Sequence, residues 1–93
     1  MDVKYVLAAF EEINKCQVDV RIYVEGTTAR PDLILVMRAL EDWSEEAEAR
    51  PLALVKQTIG SFGPRTMEAA ILQGMYALDA QMAEAEFAKT IVK

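Results

Sequence analysis

Apolar and polar positions alternate along this chain with two different periods, and the change of period marks its elements. Over residues 2–15, Val3, Val6, Leu7, Phe10 and Ile13 recur at helical spacing, while Lys4, Glu11, Glu12 and Lys15 fall elsewhere on the wheel. That spacing predicts an amphipathic helix with one core-facing stripe. Over residues 18–25 the period drops to two. Val18, Val20, Ile22 and Val24 alternate with Asp19, Arg21, Tyr23 and Glu25, and Gly26, Thr27 and Thr28 follow as a stop. β-branched residues in strict alternation predict a half-buried strand.

Residues 31–49 fit two readings. As a helix, Leu33, Val36, Met37, Leu40, Trp43, Ser44 and Ala47 share a face, and Arg38, Glu41, Asp42, Glu45, Glu46 and Glu48 lie mainly opposite. Pro31 suits the first helical position and Asp32 the positive end of the helix dipole. As a strand, Leu33 to Leu40 pairs back on residues 18–25, and its unbroken apolar run needs cover on both faces. The helix is the favoured reading. Pro51 ends whatever precedes it, residues 52–59 read as a strand, and Gly60-Ser61-Phe62-Gly63-Pro64 reads as a turn. From Pro64 to Thr90 the chain is rich in Ala, Met, Leu, Glu and Gln, all strong helix formers.

The expected fold is therefore α+β and mainly helical, in the order α-β-α-β-α, with a small sheet and a long C-terminal helix. The alternative order is α-β-β-β-α, which double-stranded-RNA-binding domains share. Those domains open their final helix on a lysine cluster, whereas this chain reads Pro64-Arg65-Thr66-Met67-Glu68, one base and one acid. The likeness is one of element order, and no family is assigned. The expected core is Val6, Leu7, Phe10, Ile13, Val20, Ile22, Leu33, Val36, Met37, Leu40, Trp43, Met67, Ile71, Met75 and Leu78.

Composition narrows the chemistry. The 93 residues suit one compact domain, 1–93, and an apolar fraction of 53% favours an ordered chain. No apolar run approaches the roughly 18 residues of a membrane span, and Asp2 and Lys4 interrupt anything resembling a secretory leader. The single cysteine, Cys16, allows no internal disulfide, so a reducing, cytoplasmic setting is expected. The absence of histidine removes the common nucleophilic triads and most zinc sites. No catalytic residue, cofactor or metal is expected, and the chain reads as a non-enzyme. A net charge of −5 argues against direct binding to nucleic acid, which depends on clustered Lys and Arg.

Local features offer few sites. Glu41, Asp42, Glu45, Glu46 and Glu48 form an acidic cluster, most simply a solvated face and otherwise a dock for a basic partner. Like charges four apart on a helix cost a few tenths of a kcal/mol each, and no glycine-punctuated calcium loop accompanies them. The turn at 60–66 lacks the glycine-lysine-serine/threonine ending of a phosphate-binding loop. Cys16 reads as a packed thiol and Trp43 as a core anchor.

The last helix is the most informative element. Met67, Ile71, Gly74, Met75, Leu78 and Met82 cluster on one face, and Ala69, Leu72, Tyr76, Ala80, Ala83 and Phe87 lie about 150° away. A surface helix needs one apolar stripe, so a second implies contact on a second side. The expectation is a small acidic non-catalytic protein–protein interaction protein that self-associates through Leu72, Tyr76, Ala80, Ala83 and Phe87. The alternative is a regulator or inhibitor that occupies a basic site on a nucleic-acid-handling protein through its acidic cluster.

Overall fold

A computed structural model describes residues 2–60 and 63–91. Its elements run α1 (Val3–Asn14), β1 (Gln17–Gly26), β2 (Pro31–Leu40), α2 (Glu45–Ala49), β3 (Ala53–Ile59) and α3 (Pro64–Ile91). The fold is α+β and mainly helical, and with the five-residue α2 set aside its order is α-β-β-β-α. The strands form an antiparallel meander with β2 in the middle.

Each end of α1 has a local cause. The Asp2 carboxylate accepts from the Lys4 N–H at 2.9 Å, capping the start. At the other end Lys15 takes a left-handed conformation (φ 55°), and the Cys16 N–H reaches back to the Glu11 carbonyl at 3.1 Å. The chain thereby reverses into β1. Gly26 (φ 86°) ends that strand, where an added Cβ would press on the Arg30 carbonyl. Thr27 and Arg30 then exchange backbone hydrogen bonds of 3.3 and 3.2 Å to close the hairpin.

Residues 31–40 are a strand, not the first half of a helix. Val18 lies opposite Ala39 and Val24 opposite Leu33 on one side, while Met37 lies opposite Val55 on the other. A central strand is covered on both faces, so its sequence loses the period of two, and the apolar run imitates a helical stripe. Leu33, Leu35, Met37 and Ala39 face α1 and α3 and join the main core with Phe10, Cys16, Ala53, Ile59, Ala70, Met75 and Leu78. Val36, Arg38 and Leu40 point to the other face. There Arg38 Nη1 donates to the Glu48 carbonyl at 3.0 Å, which holds α2 against β2. Of the expected 31–49 helix only α2 remains, capped by Ser44, whose Oγ accepts from the Ala47 N–H at 3.1 Å.

Three expected core residues lie outside the core. Ile13 is 78% exposed and Trp43 59% exposed, and Ile22 is also exposed. Ile13 turns away from the sheet at the end of α1. Trp43 sits in the connection before α2, where no helix carries it inward. Ile22 belongs to the outer half of the β1–β2 hairpin, beyond the helices' cover. Val36 is half-buried, and Leu40 is fully buried on the face opposite the main core.

The core-facing stripe of α3 matches its expectation. Leu78 and Met75 are buried, and Met67, Ile71 and Met82 pack against the same cluster. Gly74 permits the close approach, because a Cβ there would collide with the Met37 thioether. Gln57 on β3 ties down the helix through its amide, which donates to the Ala70 carbonyl at 2.6 Å.

Candidate interaction surface

The helices cover one face of the sheet, α3 over β2 and β3 and α1 beside it toward β1. Between them runs an open groove of about 340 Å³ walled by Val6, Phe10 and Ile13 of α1 and Leu72, Met75 and Tyr76 of α3. Asn14 and Asp79 also line it, and both border a second hollow of about 410 Å³ that continues along Met82, Ala83 and Glu86 toward Leu52. Shared lining residues make the two hollows one trough, running with α3 toward its C-terminal end.

The five α3 residues expected to form an interface divide by depth. Leu72 is half-buried at the groove edge and contacts the core cluster. Ala80 and Ala83 are exposed, Tyr76 is 79% exposed and Phe87 is 67% exposed. The domain thus leaves the second stripe largely uncovered. Residues 83–89 are exposed at every position, a stretch of helix beyond its own core. The α1 wall of the groove was missed in the sequence, since one helix's wheel does not say which neighbour lies beside it.

The groove between α1 and α3 is mostly apolar, and the second hollow adds a charged pair, Glu86 and Lys89, 3.9 Å apart. Asn14 spends its amide on the Phe10 carbonyl at 3.0 Å, which leaves Asp79 as the acid between the two helices. No cluster of three or more His, Cys, Asp or Glu suited to a metal occurs among the described residues. Among those same residues, no helix is long and apolar enough to cross a membrane. Cys16 is buried; burial, then the nearby Glu11 carboxylate, pushes its thiol pKa up and keeps it protonated. Ser61 and Phe62 of the expected turn lie outside the described residues.

The acidic cluster is not one continuous surface. Glu41, Asp42, Glu45 and Glu46 are exposed around the start of α2, and hydrogen bonds from the Ser44 side chain and N–H hold the Asp42 carboxyl below its usual range. Glu48 instead turns toward the sheet. Its carboxylate lies 3.3 Å from Arg21 and 4.0 Å from Arg38, and Arg38 grips Asp19 at 2.6 Å. The register dictates this, because Asp19 pairs directly with Arg38 across β1 and β2.

Both sheet edges carry a side chain from a helix. On β1 the Val18 N–H donates to Glu11 Oε2 at 2.9 Å. On β3 the Gln81 amide imitates a peptide group: Leu54 N–H donates to Gln81 Oε1 at 3.0 Å, and Gln81 Nε2 donates to the Leu54 carbonyl at 2.7 Å. Each contact occupies one residue of its edge strand, and residues 21–26 of β1 stay exposed. Fold and surface together define a small α+β domain with an apolar trough on its helical side. The chain matches no described protein family, and comparisons with curated proteins and with solved structures give no significant match.

Proposed function

We propose that this chain is a non-catalytic protein-binding domain that self-associates through the outer face of α3. The observation that carries this reading is the exposure of Tyr76, on the wall of an apolar groove, and of Phe87 farther along the same helix, whose other stripe already fills the core. Soluble monomers seldom leave a contiguous apolar patch of this kind.

A second reading uses Glu41, Asp42, Glu45 and Glu46, which stay exposed, to occupy a basic site on a nucleic-acid-handling protein. Salt separates the two. Light scattering across a concentration series should give a dimer mass that persists in about 0.5 M salt, where charge contacts are screened within a few ångströms. A monomer at every concentration overturns self-association. In either reading the chain itself leaves duplex DNA and RNA unbound in a mobility-shift titration. It works without cofactor or membrane, and a reducing cytoplasm suits its one thiol.

A further inference from the structure

The second stripe of α3 is symmetric in residue size. The point midway between Gln81 and Met82 is also midway between Ala80 and Ala83, and midway between Tyr76 and Phe87. A two-fold axis through that point turns each helix onto an antiparallel copy, with the large residues meeting large and the small meeting small. The overhang has a place in the same operation. Residues 84–91 map onto Leu72 to Asp79, the α3 wall of the groove.

We infer that the partner of this surface is a second copy of the chain, set antiparallel, with each Phe87 entering the other copy's groove beside Tyr76. This rests on the self-association proposed above and adds its geometry. Closed two-fold symmetry requires a self-complementary patch, and the spacing of rings and alanines meets that requirement in size, with Asp79 and Glu84 set level on the flanks. Ala80 and Ala83 let the helices approach at the axis, and Tyr76 and Phe87 anchor both ends. Four rings, two per copy, supply on the order of 500 Å². The rims formed by Ile13, Leu52, Met82 and the alanines raise this toward the roughly 1,200 Å² at which specific interfaces begin. The exposed end of α3, which its own sheet does not support, gains a surface to lie on.

The test is complementation between Tyr76→Lys and Phe87→Glu. Each variant alone loses at least about tenfold in dimer affinity, because both anchor contacts of its homodimer are spoiled. Mixed in equal amounts, the two form a heterodimer in sedimentation experiments, since one contact becomes Lys against Glu and the other stays Tyr against Phe. In a parallel pair the mixture only relieves like-charge contacts and leaves a charged residue against a ring at both anchors, so neither anchor is restored. An unmodified chain that dimerises while the mixture stays monomeric overturns the antiparallel geometry and leaves self-association standing. An unmodified chain that stays monomeric overturns both.

A spin-label distance does not depend on altering either anchor. Lys89→Cys places the label on the exposed overhang, because Cys16 is buried and stays unlabelled. The antiparallel pair sets the two labels more than about 20 Å apart along the helices. A distance near 10 Å, as in a parallel pair, overturns the proposal.

Discussion

The two apolar stripes of α3 are built from similar residues and meet opposite surroundings. Met75 and Leu78 are buried on β2 and β3 with Ile71 and Met82 beside them; Tyr76, Ala80, Ala83 and Phe87 face outward. Hydrophobicity alone does not distinguish them. Shape does, because the inner stripe carries Gly74 where the helix touches Met37, and its flexible methionines fill the irregular space above the sheet. The outer stripe has alanines between two rings, and Tyr76 and Phe87 are mostly exposed among the described residues. An inner contact contributes to folding, whereas an outer one contributes only when another surface covers it. Substitutions around the helix therefore separate stability from association.

The largest loss comes from the inner stripe. Leu78 is fully buried, and Leu78→Ala should cost about 2–5 kcal/mol in urea unfolding, through lost burial and the cavity left behind. A loss below about 1 kcal/mol would mean that α3 is only loosely seated on the sheet. Gly74→Ala follows. Overpacking against the fully buried Met37 costs about 1–3 kcal/mol, and the better helix propensity of alanine returns somewhat under 1 kcal/mol. The net expectation is a loss of up to about 2 kcal/mol. A gain in stability would show that the Met37 side chain has room to turn aside.

The sequence made these contrasts partly legible. The α1 wheel, the alternation in β1 and both stripes of α3 follow from patterns that local packing preserves. Residues 31–40 were hidden because burial on both faces removes the signal that identifies a strand. The choice between helix and strand there depended on β1 and β3, which are distant in sequence. Glu48 counts as a surface acid in sequence, and only the register opposing Asp19 to Arg38 recruits it to an ion-pair network. Within the candidate surface, Tyr76 and Phe87 could be read from their spacing. The α1 wall and the Gln81 amide on the β3 edge could not, since they depend on how α3 crosses the sheet.

Gln81 lies between the two stripes in position and in effect. Its amide closes two hydrogen bonds with Leu54 at an exposed strand edge, where each is worth about 0.5–1.5 kcal/mol less what water recovers. Gln81→Ala should cost about 1 kcal/mol in urea unfolding. Hydrogen exchange should show faster loss of protection at the Leu54 amide than at Met37 in the central strand. Equal acceleration at both sites would mean that the substitution loosens the whole sheet and that the cap is not local.

The smallest effect on folding belongs to the outer stripe. Tyr76 is 79% exposed, so truncation to alanine removes little buried area from the monomer and should change unfolding free energy by less than about 0.5 kcal/mol in dilute protein. The measurement needs two concentrations, because binding to the folded state alone adds stability by mass action. At low concentration the parent and Tyr76→Ala should unfold at the same urea midpoint. At high concentration the parent should move to a higher midpoint while the variant stays where it was. If the two instead differ by several kcal/mol at low concentration, Tyr76 is part of the folding core. The outer stripe would then be a second packing face of the monomer, and the contrast with Leu78 would collapse. If neither midpoint depends on concentration, the stripe is uncovered in solution and the self-association reading fails with it.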